Sequence, residues 1–230
     1  MSSALSSRRV RRLHAIARRA WQHRPLSRWS LQLWMVVCLA VVSGAVGSGA
    51  PGMAGQAQAA RLEGQRFDDQ VTVGDRVLRL NGLGLRGVAW IKAFVAGLYL
   101  AAPTRDPAQA LAMPGPKRLR MKVMLEAPSK EFSKAFAKGV RRNESDKVQA
   151  QLADRMSRFI QMVDGLGTIR KGDTIDLDYV PGTGTQLRLN QKAVGTPFEG
   201  EDFYRALLKI YIGDRPVDAR MKEGLLRGGV

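Results

Sequence analysis

The stretch that decides the fold class is LNGLGLRG, residues 80–87, together with the segment that follows it. It contains the spacing G-x-G-x-x-G after a predicted strand, a pattern that binds the pyrophosphate of a dinucleotide when a helix comes next. Here the next segment, residues 88–100, is rich in β-branched and aromatic residues and predicts another strand. We therefore interpret residues 81–87 as a glycine-rich connection between strands, and we expect no cofactor.

Further strands are predicted on both sides of this stretch. Residues 71–73 and 77–80 flank Gly74-Asp75, which is typical of a hairpin. Residues 119–125 alternate apolar with polar side chains, a pattern that predicts a half-buried strand.

Helical spacing begins at residue 129 and recurs after residue 143. The apolar positions of the second helix form one stripe along residues 148–163. The rest of the chain predicts two strands, residues 174–179 and 186–190, then a helix over residues 199–211 and a last helix starting near Pro216. This order of elements predicts an α+β fold with an antiparallel sheet.

The first sixty residues have the pattern of an export signal. Residues 1–60 contain eight arginines and no acidic residue, followed within that range by an apolar run at residues 33–42 and by Ala57-Gln58-Ala59. A basic segment, a short apolar segment and an A-x-A site in this order are typical of a secretory signal peptide. We expect residues 1–59 to be removed, leaving one exported, periplasmic domain of residues 60–230. An uncleaved N-terminal segment that anchors the chain in the membrane is the alternative.

The distribution of His and Cys excludes much chemistry. The chain has 37 Lys and Arg against 20 Asp and Glu, a net charge of +17, but both histidines and the single cysteine (His14, His23, Cys38) precede residue 60. Without them the mature chain has no Ser–His or Cys–His nucleophile and no His-ligated metal site. We expect no metal. Catalysis that needs only a cationic clamp around an acidic substrate remains open.

Arg86 is the candidate functional residue of the glycine-rich stretch. A guanidinium beside flexible backbone can hold a carboxylate or an enolate in a bidentate clamp. The alternative is a solvated arginine or a structural ion pair.

Two charged clusters have simpler interpretations. Lys130, Lys134 and Lys138 recur at helical spacing, which predicts either a solvated helix face or a surface for weak contact with anionic lipid. Asp176 and Asp178 share one face of a predicted strand and are interpreted as structural. No nucleic-acid motif is present, and we expect no nucleic-acid partner.

Several segments, in this order along the chain, resemble the chalcone isomerase-like family, particularly its exported bacterial branch. They are residues 80–87, 92–100, 116–119, 171–174, 179–185, 200–204, 212–217 and 225–226. The resemblance implies an open-faced sandwich, in which a large curved antiparallel sheet carries a layer of helices, with a ligand cleft between them.

The resemblance also implies which residues face that cleft. Plant isomerases of the family close a chalcone to a flavanone with an arginine in the glycine-rich stretch, a threonine, a tyrosine and an asparagine. Arg86 matches the arginine, whereas Phe94 occupies the threonine's place and Phe132 the tyrosine's. The asparagine's place falls at Gly139, with Asn143 one helical turn further on. Fatty-acid-binding relatives keep the arginine but have a tyrosine where Phe94 lies.

An apolar cleft with one cation suits an amphipathic carboxylate, because the tail is buried and the charge is paired. The first hypothesis is therefore a non-catalytic binder of a small apolar or fatty-acid-like acid through Arg86, Phe94, Phe132 and Asn143. The second is an isomerase or intramolecular lyase in which Arg86 stabilises an enolate or phenolate. The third is a non-catalytic envelope protein that docks through the lysine stripe.

Overall fold

The computed structural model describes residues 59–88 and 90–229. The predicted export signal falls outside the described residues, except for Ala59, the predicted last residue of the signal. Removal of this segment and the division of the chain after residue 59 therefore stay predictions.

The described domain is built around a seven-stranded antiparallel sheet. Its strands are β1 (Ala60–Leu62), β2 (Gln65–Phe67), β3 (Gln70–Val73), β4 (Arg76–Val88), β5 (Ile91–Leu100), β6 (Lys117–Val123), β7 (Ala127–Pro128), β8 (Thr168–Ile169), β9 (Thr174–Val180), β10 (Gly184–Leu189) and β11 (Lys192–Phe198). The order in the sheet is β11-β10-β9-β6-β5-β4-β3, while β1 pairs with β2 and β7 with β8.

The helices form a layer on one face of this sheet. They are α1 (Pro107–Ala112), α2 (Ser129–Asn143), α3 (Asp146–Asp164), α4 (Glu201–Ile212) and α5 (Ala219–Leu225). Alternate side chains of β5, such as Phe94, Ala96 and Leu98, pack into the main core beneath the helices. The predicted α+β class, with a curved antiparallel sheet and one layer of helices, is confirmed.

The opposite face of the sheet carries a smaller core. Val95 and Tyr99 point to this side, because successive residues of a strand face opposite ways. Phe67 covers them, and the hairpin of β3 and β4 curls over the same face until Gly74 lies beside Val180 of β9. The curl gives the sheet the shape of a half-barrel.

Two buried ion pairs continue this face across β6 and β9, and we call them the ion-pair ladder. Arg118 and Asp178 are cross-strand partners joined by two hydrogen bonds of 2.6 Å, and Arg120 and Asp176 are joined by bonds of 2.8 and 3.0 Å. The sequence predicted a half-buried strand over residues 119–125, with Arg120 among its alternating polar side chains. The strand is instead covered on both faces, because each guanidinium is neutralised by the carboxylate opposite. The structural interpretation of Asp176 and Asp178 agrees with this geometry.

The observed elements differ from the predictions in several places. The glycine-rich stretch is not a connection: it continues β4 as far as Val88, and β5 starts anew at Ile91. The last helix begins at Ala219 rather than near Pro216, because the side chain of Asp218 caps it. Strand β11 was not predicted.

Candidate functional site

The glycines of β4 bring the strand against the backbone of α5. A Cβ atom at Gly82 would overlap the carbonyl oxygen of Gly224, and one at Gly84 would lie 2.5 Å from the carbonyl oxygen of Met221. A side chain on Gly224 would in turn overlap the carbonyl oxygen of Leu83. Close packing of helix on strand therefore accounts for the G-x-G spacing.

Asn81 fixes α5 to β4 at a bulge in the strand. The pairing of β4 with β5 shifts register between Leu80 and Gly82, and the Asn81 side chain is fully buried there. Its amide donates to the carbonyl oxygen of Leu225 at 2.7 Å and its Oδ1 accepts from the N–H of Thr104 at 2.7 Å. Both polar atoms are satisfied, so the bulge holds the end of α5 in place.

Arg86 lies on β4 directly opposite Phe94 of β5, so the two side chains share one face of the sheet. Its Nη1 donates to Oδ2 of Asp218 at 3.3 Å. The Arg86 side chain is 28% exposed and that of Asp218 is 20% exposed. Among the residues that the structure describes, Nε and Nη2 of Arg86 have no hydrogen-bond partner.

Asp218 belongs to the site and was not predicted from the sequence. Its Oδ1 accepts the N–H of Met221 at 3.1 Å and caps α5, while its Oδ2 faces Arg86. An aspartate just before an apolar helical segment is a signal for a cap. Its pairing with a residue 132 positions away has no local signal.

The two phenylalanines predicted for the cleft lie together, and Phe94 is the cross-strand partner of Arg86. The rings of Phe94 and Phe132 are 6.4 Å apart between centroids and tilted by 33°. Phe94 is 9% exposed, and Phe132, in the first turn of α2, is partly buried. Arg86 is therefore linked to this aromatic pair through its register with Phe94.

Asn143 lies apart from this cluster, at the other end of α2. Eleven residues separate it from Phe132 along the helix, a distance of roughly 16 Å. Its amide donates to the carbonyl oxygens of Gly139 and Arg215, both at 2.9 Å, and its Oδ1 accepts from the N–H of Arg215 at 3.0 Å. The Asn143 side chain joins α2 to the segment after α4, and both its amide nitrogen and its Oδ1 are engaged in these hydrogen bonds.

A cavity of about 550 Å³ opens among β1, the end of β4 and α5, and its lining includes Asp218 but not Arg86, Phe94 or Phe132. Leu85 and Gly87, the neighbours of Arg86 in the chain, line it together with Asp218. Further apolar surface comes from Leu62, Leu83 and Ile91, and positive charge comes from Arg61, Lys92, Arg220 and Arg227. Apolar walls with several cations suit an amphipathic anion.

Two other cavities, of about 450 and 480 Å³, lie over the ion-pair ladder. Their walls are mostly polar, and the cations Arg118 and Arg120 in them are already paired with carboxylates. An apolar ligand would find little surface to cover there.

Three buried tyrosines that could act as acids or bases have partners away from Arg86. The hydroxyls of Tyr99 and Tyr204 donate to main-chain oxygens, and that of Tyr211 donates to the sulfur of Met121. Burial raises the pKa of each of these phenols. None of the three is hydrogen-bonded to Arg86.

Other predicted features occupy the surface. The three lysines of the stripe, Lys130, Lys134 and Lys138, are exposed on α2, and Lys134 pairs with Glu131 at 2.8 Å. The part of the chain that is described contains no cluster of carboxylates placed to hold a metal ion. In residues 59–88 and 90–229, no helix combines the length and the apolar character needed to cross a bilayer.

Comparisons with known proteins agree with this architecture. The model of the chalcone isomerase-like family matches residues 59–227. The crystal structure of an Arabidopsis thaliana fatty-acid binding protein superposes with a TM-score of 0.57 at 18% identity, covering 74% of this chain and 96% of that one. Curated protein sequences give no significant match. The predicted family resemblance and fold are confirmed: the chain belongs to the chalcone isomerase-like family.

Proposed function

We propose that this protein binds a small amphipathic carboxylate of the fatty-acid type and does not convert it. One observation carries the proposal: Arg86, whose Nε and Nη2 are unpartnered among the described residues, stands opposite Phe94 on the paired strand, and the ring of Phe94 lies 6.4 Å from that of Phe132. A charged head and an apolar tail would both be satisfied at this position.

The chemistry of the neighbours favours a carboxylate over a neutral lipid. A hydrogen bond to a charged group contributes about 1.5–3 kcal/mol, and the planar guanidinium can make two such bonds to one carboxylate. The adjacent cavity is lined by four cations, which would also attract a negatively charged ligand: Arg61, Lys92, Arg220 and Arg227. The fatty-acid binding protein that shares the fold supports the same class of ligand.

Binding without conversion is favoured over isomerase chemistry by what surrounds Arg86. Phe94 and Phe132 offer no hydroxyl where the plant isomerases have a threonine and a tyrosine, and Asn143 is used within the chain. A cyclisation would then depend on Arg86 alone to stabilise the developing charge.

The experiment is a titration of the full chain with palmitate, with hexadecanol as the uncharged comparison. Loss of the charged hydrogen bonds in Arg86→Ala should weaken palmitate binding about 10- to 150-fold and leave hexadecanol unaffected. The matched control is Arg79→Ala, which removes an exposed arginine from the same strand. Equal palmitate affinities in the wild type and Arg86→Ala would remove Arg86 from the site.

The isomerase alternative has its own assay. In the presence of saturating amounts of the protein, a chalcone substrate should be converted no faster than in the uncatalysed reaction. Conversion that disappears in Arg86→Ala would overturn the non-catalytic part of the proposal.

The proposed site of action is outside the cytoplasm, on the strength of the residue pattern before Ala59. Fractionation of cells that express the full chain should recover a shortened protein in the periplasm. Full-length protein in the membrane fraction would instead favour the uncleaved anchor.

A further inference from the structure

Large apolar side chains are exposed at one end of the sheet. Trp90, in the turn between β4 and β5, is 87% exposed, Ile91 is 47% exposed and Leu125 is 48% exposed. We call these three residues the Trp90 tip. Among the described residues the other large apolar side chain with comparable exposure is Val77, near the start of β4.

The members of the Trp90 tip are close in space. Ile91 follows Trp90 directly and begins β5. The N–H of Leu125 donates to the carbonyl oxygen of Ala93 at 3.2 Å, which holds Leu125 beside the first residues of the same strand. A tryptophan and two aliphatic side chains thus project from one end of a rigid sheet.

Positive charge surrounds this apolar end. Ile91 lines the same cavity as Arg61, Lys92 and Arg220. Lys92 pairs with Glu63, whereas Arg61, Arg220 and Arg227 have no carboxylate within 4 Å in the described part of the chain. Among the residues that line this cavity the one carboxylate is Asp218, against the four cations Arg61, Lys92, Arg220 and Arg227.

We propose that the Trp90 tip docks on an anionic lipid surface. Tryptophan has an apolar ring and a polar N–H, and it is enriched at the boundary between lipid and water. The surrounding arginines and lysine complement the negative headgroups, and residues 61–230 carry nine more basic than acidic groups. An exposed apolar end within a basic rim fits a bilayer better than it fits the protein's own positively charged surface.

Docking in this orientation would bring the cavity among β1, β4 and α5 to the lipid, because Ile91 belongs to the Trp90 tip and also lines that cavity. This surface is argued independently of the proposed ligand. Loss of palmitate binding in Arg86→Ala and loss of lipid docking in tip variants are therefore separable results.

The test uses the fluorescence of Trp90 in the full chain. The other tryptophans, Trp21, Trp29 and Trp34, precede residue 59 and are replaced by phenylalanine. Vesicles of phosphatidylcholine with about a third of phosphatidylglycerol should shift the Trp90 emission to shorter wavelength, and lipids brominated on the upper acyl chain should quench it. Vesicles of pure phosphatidylcholine should shift the Trp90 emission much less, and high salt should reverse most of the shift seen with the anionic vesicles.

Matched variants identify the surface. Ile91→Ser with Leu125→Ser should lower the partition onto anionic vesicles roughly tenfold, whereas Val77→Ser, which removes a similarly exposed side chain at the opposite end of β4, should leave it unchanged. Trp90 emission that stays unshifted on vesicles that retain the chain would mean attachment through the N-terminal segment and would overturn the proposal. If the Trp90 emission shifted in the absence of lipid, and shifted more as the protein concentration rose, the proposal would be overturned, because the Trp90 tip would then bind a second copy of the chain.

Discussion

At the scale of single residues, Asp218 occupies the position that a ligand carboxylate would compete for. Its Oδ2 lies 3.3 Å from Nη1 of Arg86, while its Oδ1 caps α5. The pair is partly exposed, so its stabilising contribution is small, and the negative charge of Asp218 repels an incoming anion. The aspartate keeps Arg86 oriented at the cost of some affinity.

Asp218→Asn separates these two effects, because asparagine also caps helices well. We expect palmitate to bind about two- to fivefold more tightly, since the competing charge is gone and the cap remains. A calorimetric titration of both chains measures the change, with thermal unfolding as a check that α5 is intact. Weaker binding by a stably folded variant would instead mean that Asp218 positions Arg86 for the ligand.

Gly84 is limited to glycine by the helix next to it. In Gly84→Ala the new methyl group would lie 2.5 Å from the carbonyl oxygen of Met221, so α5 must shift away from β4. We expect the free energy of unfolding to fall by about 1–3 kcal/mol, as for other overpacked sites, when it is measured by denaturant titration.

The control for this substitution is Gly165→Ala. Its Cβ atom would approach other atoms no closer than 3.5 Å, and its φ of −66° suits any residue. A similar loss of stability in both variants would argue against the close packing of α5 on β4.

The site residues stay predictions, although the structure shows how three of them are placed. Arg86, Phe94 and Phe132 were assigned by resemblance; Arg86 lies opposite Phe94 because β4 pairs with β5 there, and the ring of Phe132 lies near that of Phe94 because α2 starts above it. Asn143 could not be judged from the sequence, because eleven helical residues separate it from Phe132. The pairing of Asp218 with Arg86 depends on how α5 packs, which no local pattern specifies.

At the scale of elements, the ion-pair ladder joins β6 to β9 through side chains as well as through the backbone. Asp178 is 5% exposed, and burial raises the pKa of its carboxyl, against the effect of its hydrogen bonds to Arg118. Taking one charge away would leave its partner buried without compensation, which is costly.

Asp178→Asn should therefore destabilise the domain by about 3–5 kcal/mol. The matched control is Asp154→Asn, because Asp154 pairs with Arg158 on the exposed side of α3 and its loss should change little. Urea unfolding of the two variants compares them directly. If Asp178→Asn were as stable as Asp154→Asn, the buried pair would have no structural role.

The elements themselves were predicted unevenly, for physical reasons. Helices α2 and α3 bury one stripe each, so their apolar spacing is visible in the sequence, and α4 is apolar enough to be buried on most of its surface. Strand β11 contains Gly195 and Pro197 and exposes most of its residues at the edge of the sheet, so no alternating pattern marks it. The continuation of β4 through its glycines follows from packing against α5, which a turn-like composition conceals.

At the scale of the whole molecule, the buried tyrosines make the free energy of unfolding depend on pH in the alkaline range. Burial raises the pKa of Tyr99, Tyr179, Tyr204 and Tyr211 above the ordinary value of 10.0. Their phenols stay protonated in the folded domain at a pH where an unfolded chain would already lose these protons. By linkage, the free energy of unfolding must fall as the pH rises through 10.0.

We expect alkaline unfolding in which tyrosinate absorbance and the loss of circular dichroism follow the same curve, because these phenols ionise only when the fold opens. Tyr211→Phe should reduce the dependence on pH, since it removes one group with a raised pKa. Tyrosine ionisation well below the pH of unfolding would contradict the burial of these hydroxyls.

The ion-pair ladder also limits how the chain can change over generations. Losing Arg118 or Asp178 alone leaves a buried charge, whereas exchanging both for apolar residues of similar size is tolerated in other proteins. Substitutions at positions 118 and 178, and likewise at 120 and 176, should therefore arise together in descendants of this sequence. Two pairs of sites 60 and 56 residues apart would then be inherited as if they were neighbours.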